Sequence, residues 1–253
     1  MSVNNINSSA SIDYGTIASG KRINSASDDA SGLAISNKLK SQSSGLTAGA
    51  ENAKSGSNAL NIADGAMAGI TDYLQKIREL SVSASSGLKS ADDLSSIQSE
   101  IEQYMKGIQQ TADGTEYNTK KLLNGSMADM SIATNPDGSG MSIKMANSTL
   151  ETLGIDGYNV TGNFDISTID NALDMVSSAR SQGGSFTNAL QYAYNSNSNA
   201  AIQQTASQSK LEDLDIPKAI SEQKKNEVID DYKTMMQKLQ SDNEESIVTK
   251  LLQ

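Results

Sequence analysis

Two segments of this chain, more than a hundred residues apart, carry small or apolar side chains at strict seven-residue intervals. The first runs Leu46, Ala53, Leu60, Met67 and Leu74, with a companion series Gly49, Gly56, Ala63, Ile70, Ile77 and Ala84. The second runs Ile169, Val176, Gly183, Leu190, Asn197, Gln204 and Leu211, accompanied by Ala172, Ala179, Phe186, Ala193, Ala200, Ser207 and Leu214. Helices in ordinary globules drift toward a 3.6-residue period, whereas a sustained 3.5 period keeps one seam against a partner helix. Two such seams of comparable length predict two long helices packed on each other. The glycines early in the first seam predict a very close approach between them.

Composition agrees with narrow seams rather than a broad core. Of 253 residues, 36% are hydrophobic and only 4% aromatic, so buried surface must come from stripes of Leu, Ile, Met and Ala. The chain has no cysteine and no histidine, which removes thiolate nucleophiles, Cys or His zinc ligands and a Ser-His-Asp triad. A net charge of -10 and a pI near 4.5 argue against nucleic acid and against an anionic membrane surface as partners. No window has the roughly 18 to 20 apolar residues of a membrane span, and the N-terminus MSVNNINSSASIDYG lacks the basic and apolar regions of a secretory signal.

Shorter patterns fill the space between the seams. Leu94, Ile97, Ile101, Tyr104 and Ile108 mark one apolar face of a third helix, with Ser86 to Asp93 as its preceding turn and cap. Thr134 to Gly140, TNPDGSG, is turn chemistry between MSIA and MSIK and predicts a β-hairpin. Pro217 suits the start of a new helix, which places a joint between Leu214 and Pro217. Beyond it Ile220, Val228, Ile229, Tyr232, Met235, Met236, Leu239, Ile247, Val248, Leu251 and Leu252 continue an apolar pattern that calls for a partner.

Two chemical motifs fall short. GTIASGKR, Gly15 to Arg22, has Gly15, Gly20 and Lys21 of a phosphate loop, but Arg22 stands where a hydroxyl should hold Mg²⁺, and INSSASIDY before it is no buried strand. Asp28 and Asp29 suggest a calcium loop, yet its twelfth position would be Leu39 rather than Glu, so Asp and Ser here read as caps of a helix starting near Gly32. No cofactor and no metal site is expected.

One block is longer and more specific than either motif. SGKRINSASDDASGLAIS, from Ser19 to Ser36, resembles the SSGxRINSAxDDAAGLAI block of bacterial flagellins. LQKIRELSVSA, SIQSEI and TEYNTKKLLNG, starting at Leu74, Ser96 and Thr115, are similar to further motifs of that family, as is SQSKLEDLDIPKAIS from Ser207. The resemblance implies a mainly α, elongated antiparallel helical bundle with a small β-hairpin region. It implies D0 inner helices from residues 1–18 and 217–253, a D1 shaft from 19–125 and 166–216, and a variable insert at 126–165 too small for outer D2 or D3 domains. The stretch before Ser19 is shorter than is usual in the family, so an incomplete inner layer is expected.

The resemblance further implies a non-enzymatic subunit that polymerises into an extracellular flagellar filament for swimming. A hook–filament junction protein is the alternative, and a nucleotide-binding enzyme a remote one. Expected partners are other copies of the chain, an export chaperone at the C-terminal helix, the junction and cap proteins, and an animal Toll-like receptor. In that reading Lys21, Arg22, Asn24, Asp28 and Asp29 lie on an extended spoke available for contacts between subunits. Leu46, Leu60, Met67, Ile70, Leu74 and Ile77 pack the seam with Ile169, Val176, Phe186, Leu190, Leu211 and Leu214. Gln75, Lys76, Leu80 and Glu100 match the receptor-reading positions, with Lys76 in place of the family's Arg, which keeps the charge but loses the planar fork.

Overall fold

A computed structural model describes residues 14–251; residues 1–13 of the expected N-terminal inner segment, Leu252 and Gln253 lie outside those described, as do the side chains of Val248 and Leu251. In chain order the elements are α1 (Tyr14–Ser19), α2 (Ala30–Ala84), α3 (Ala91–Gly114), β1 (Glu116–Tyr117), β2 (Lys120–Lys121), β3 (Asp129–Ala133), β4 (Gly140–Lys144), α4 (Leu150–Leu153), α5 (Ser167–Glu212) and α6 (Ile216–Leu251). The fold is mainly α with two small antiparallel strand pairs, as the heptads and the TNPDGSG turn predict. The chain divides into two compact units: Gln42–Ile202, and the residues up to Ser41 together with those from Gln203.

Within Gln42–Ile202 the two seams run antiparallel, as contacts between α2 and α5 show. Ser43 donates to the Ala201 carbonyl, Gly49 faces Asn197, Gly56 faces Leu190, Arg180 bonds Asp64 and Arg78 bonds Asp170. Rising numbers on α2 thus meet falling numbers on α5 over the whole unit. Ile70, Leu74, Ile77, Ile169, Ala172 and Leu190 are completely buried, each contributing on the order of 1.5–3 kcal/mol if large. Helix α3 adds Ile101, Met105, Ile108 and Ala112 to the same core. Its start is fixed by a capping box in which the Ser90 hydroxyl accepts from Asp93 N while the Asp93 carboxylate accepts from Ser90 N.

The β3–β4 hairpin pairs Asp129 with Lys144 and Ala133 with Gly140, and buries Ile132 and Ile143 on one face. Its turn closes through the Asn135 and Thr134 amides on the Ser139 carbonyl, with Gly138 at φ +84°, a left-handed conformation that glycine adopts without strain. The β1–β2 pair is not foreseen in the reading of the sequence. Its two loop residues, Asn118 and Thr119, both have positive φ, the conformation of a two-residue hairpin loop. After the hairpin, α4 ends at Gly154 in a left-handed cap.

The early glycines of α2 answer to the hairpin more than to α5. A Cβ on Gly49 would stand 2.3 Å from the Thr134 carbonyl oxygen and 3.1 Å from Asn197, and one on Gly56 would stand 2.1 Å from Ile132 Cδ1 and 3.2 Å from Leu190. Gly45 lies against Pro136. The glycine stripe is therefore a bed on which the hairpin backbone rests, with α5 as the second neighbour. Helix α2 also starts at Ala30, two residues before Gly32, because Asp29 is its cap: the Asp29 carboxylate accepts from Gly32 N at 2.8 Å.

Candidate functional site

The block Ser19 to Asp29 folds against the end of α5. Gly20, with φ +68°, terminates α1, and the next residues pair antiparallel with the α5–α6 junction: Arg22 N donates to the Glu212 carbonyl at 2.7 Å and Leu214 N to the Gly20 carbonyl at 2.9 Å. Side chains reinforce the pairing. The Lys21 ammonium meets Glu212 Oε1 at 2.5 Å, and the Arg22 guanidinium donates to the Leu211 carbonyl at 2.6 Å. The second oxygen of Glu212 accepts from the Ser36 hydroxyl at 2.6 Å and from Gln208 at 3.0 Å.

Glu212 is thus a buried carboxylate with both oxygens satisfied. The hydrogen bond from Lys21, with those from Ser36 and Gln208, holds its pKa down at about 2, and the same contact raises that of Lys21. The remaining polar residues of the block act locally. Asp28 Oδ2 accepts from the amides of Asn24 and Ser25, which lowers its pKa, the Asn24 amide group donates to the Lys21 carbonyl, and Asp29 caps α2. Ile23 is buried against the first turn of α2. So Lys21, Arg22, Asn24, Asp28 and Asp29 each have a partner within the chain. Gly15 lies inside α1 and Gly20 is its left-handed end, so GTIASGKR forms no strand-to-helix loop.

A second feature is α6. Asp215 caps it, accepting from Lys218 N through its side chain and from Ala219 N through its carbonyl, and Pro217 occupies the second helical position, where no backbone donor is needed. Ala219 is buried, and α1 lies beside the start of the helix. Further on, Val228, Ile229, Tyr232, Met235, Met236, Leu239 and Ile247 are all exposed, with Val228, Tyr232 and Met235 at 64–67%. Residues 228, 232, 235 and 239 recur at spacings of three and four and so share one face.

Gln75, Lys76 and Leu80 near the end of α2 and Glu100 on α3 lie at the surface of the Gln42–Ile202 unit, except Leu80, which is half-buried against the core. Gln75 is exposed. Lys76 pairs with Glu79 at 2.7 Å, which raises its pKa, and Glu100 accepts from the Tyr104 hydroxyl at 3.1 Å. Tyr104 and Tyr73 stand 6.0 Å apart, so charges and rings form one patch across α2 and α3. Of the seam residues, Leu46, Leu60, Met67, Ile70, Leu74, Ile77, Ile169, Val176 and Leu190 are buried, while Phe186, Leu211 and Leu214 are half-buried. Leu214 lies past the end of α5.

Three polar residues have structural roles, of which Asn52 and Gln98 escape the reading of the sequence. Asn52 and Asn197 donate to the consecutive carbonyls of Ala133 and Thr134, at 2.9 and 2.6 Å, and so clamp the hairpin from both long helices. Gln98, buried in SIQSEI, donates to the Tyr158 carbonyl and accepts from Val160 N. Asn197 was visible as a polar residue on the seam, but periodicity alone cannot show what it bonds.

The family model for the bacterial flagellin N-terminal helical region matches residues 1–128. The phase 1 flagellin of Salmonella naestved and the flagellin of Salmonella dublin are each 39% identical to this chain over 163 residues, which is 63% of the chain and 32% of the relative. The chain thus matches about a third of the length of these curated relatives. Among solved structures, Bacillus cereus flagellin superposes with a TM-score of 0.51 at 24% identity, covering 58% of this chain and 88% of that one. A protein described as flagellar hook-associated, from Vibrio parahaemolyticus, superposes with a TM-score of 0.62 at 16% identity, covering 74% and 100%. At those identities the superpositions speak for the fold.

Proposed function

Since the chain belongs to the bacterial flagellins, whose N-terminal helical region its first 128 residues match, we propose that it is a structural subunit that polymerises into the extracellular flagellar filament used for swimming. The observation that carries this reading is the exposed apolar face of α6. Val228, Tyr232, Met235 and Leu239 lie on a helix that a single chain leaves uncovered, and burying such a face against other copies supplies the drive for assembly.

In this reading residues 19–125 and 166–216 are the D1 shaft, 126–165 its insert, and 1–18 with 217–253 the D0 layer. Arg22 has guanidinium donors beyond the one spent on Leu211, and it lies exposed with Lys21, Asn24 and Asp28, open to a neighbouring subunit on their outer side. The subunit is non-enzymatic. An export chaperone covers the C-terminal helix before assembly, junction and cap proteins bound the filament, and the patch of Gln75, Lys76, Leu80 and Glu100 meets a Toll-like receptor.

Purified protein seeded with filament fragments tests the reading by electron microscopy and sedimentation. Wild-type chain is expected to elongate the seeds, and Tyr232→Asp with Met235→Asp to stop elongation while leaving the melting transition of the monomer unchanged. A strain that lacks this protein yet makes full-length filaments would sink the proposal.

A further inference from the structure

Residues Gly15–Arg22 bury no large side chain completely. Helix α1 is six residues long, too short to be stable alone, and Gly15, Ala18 and Ser19 are exposed while Ile17 is only half-buried. The last three residues of this segment, Gly20 to Arg22, are joined to the α5–α6 junction by polar contacts: two backbone hydrogen bonds with Glu212 and Leu214, the Arg22 contact with the Leu211 carbonyl, and the Lys21–Glu212 pair. Ile23, by contrast, is buried and lies against Gly32 of α2. The contacts converge on Glu212 at the end of α5, whose carboxylate is met by three residues: Lys21 before α2, Ser36 on α2 and Gln208 one turn earlier on α5.

We propose that Glu212 is an ionic latch: its carboxylate locks Gly20–Arg22 onto the α5–α6 junction, and loss of its charge frees that segment while Gln42–Ile202 stays folded. The reasoning is one of satisfaction. A buried carboxylate needs donors on both oxygens, and here each has one or two. Remove the charge, and the Lys21 ammonium loses the acceptor that offsets its partial desolvation. Asp213 also attracts the Lys21 ammonium, but it is hydrogen-bonded by the Ser209 hydroxyl and Glu212 is the carboxylate in direct contact, while Arg22 is directed at a carbonyl. The Lys21–Asp213 bridge is a backbone pairing that two hydrogen bonds alone would leave to fray. The latch also fixes the three residues between α5 and α6, because Leu214 N is held by the Gly20 carbonyl.

This latch lies within one chain and does not depend on the filament reading. Trypsin provides a direct test, since its two earliest targets in the segment, Lys21 and Arg22, are the side chains the latch engages. Limited proteolysis of the monomer with mass spectrometry should show cleavage after Lys21 and Arg22 accelerated on the order of tenfold in Glu212→Gln, because cleavage follows the population of the open segment. Cleavage within residues 42–202 and the helical melting transition should not change. Lys21→Met, which removes the other charge, should accelerate cleavage after Arg22 in the same way. Unchanged cleavage in both variants would overturn the proposal. So would loss of the whole helical signal in Glu212→Gln, which would make Glu212 a support of the entire fold rather than a latch.

Discussion

The unit Gln42–Ile202 and the unit formed by the chain ends use the same kind of helix for opposite ends. In the first, heptad positions of α2 and α5 meet each other and α3, so Ile70, Leu74 and Ile77 are wholly buried. In the second, the large apolar side chains of α6 face outward and polar contacts around Glu212 fasten the segment before α2. An apolar stripe therefore predicts that a helix seeks a partner, without saying whether the same chain supplies it. One unit is held by burial and the other by charge.

The sharpest test of that contrast is truncation of matched apolar residues. Leu74→Ala empties a fully buried site and should cost about 2–5 kcal/mol in chemical denaturation of the monomer. Tyr232→Ala removes a larger but exposed side chain and should change monomer stability by less than about 0.5 kcal/mol. Comparable losses in the two variants would mean that α6 is already covered in the isolated chain, and the contrast would fall.

The contrast also marks where the sequence can be read. Heptad spacing located α2 and α5, and the TNPDGSG turn located β3–β4, because both depend on local periodicity and turn chemistry. The glycines of the first seam were legible as a close approach, but what approaches is the hairpin, a partner some eighty residues away in the chain. Likewise Glu212 was visible only as part of a family-like LED. Its role arises from Lys21 and Ser36, brought to it by the antiparallel return of the chain, and no local pattern encodes that meeting.

If charge fastens the end unit, acid should loosen it. Glu212 has a folded pKa of about 2 against an ordinary value of 4.5. A depressed carboxylate contributes stability that is complete above the ordinary value and is lost as pH falls from there through about 2. With Lys21 half-exposed, the contribution is on the order of 2 kcal/mol. Hydrogen exchange of the Arg22 and Leu214 amides should therefore speed up between pH 4.5 and 2 in wild type, after correction for intrinsic rates. In Glu212→Gln the same amides should exchange fast throughout. A pH-independent protection factor in wild type would show that the backbone pairing needs no charge.

Small residues in the burial-held unit give a finer test. Gly49→Ala places a methyl group against the Thr134 carbonyl, a backbone atom held by the Asn197 amide group, and should destabilise by about 1–2 kcal/mol despite the better helix propensity of alanine. Gly56→Ala meets side-chain atoms rather than backbone, chiefly the tip of Ile132, which can change rotamer, and Leu190 Cδ1 at 3.2 Å. It should be closer to neutral, although its nominal clash is shorter. The reverse order would mean that the hairpin moves more easily than a side chain, and the bed of glycines would then be slack.

The smallest effect concerns the ion pairs of the same unit. Arg78–Asp170 and Arg180–Asp64 bridge α2 and α5, yet each uses only the arginine Nε and stands roughly half in solvent. Such exposed pairs contribute about 0–1 kcal/mol and are screened by salt. Arg78→Ala with Arg180→Ala should therefore lower stability by less than about 1 kcal/mol near physiological ionic strength, and by nothing measurable at about 1 M salt. The Lys21–Glu212 pair should differ, because its carboxylate is buried and multiply hydrogen-bonded, so salt should leave the protection of Arg22 largely intact. The contrast thus concerns where the charge sits. In the seam unit charges decorate a fold that burial already holds, and in the end unit a single sequestered carboxylate does the holding.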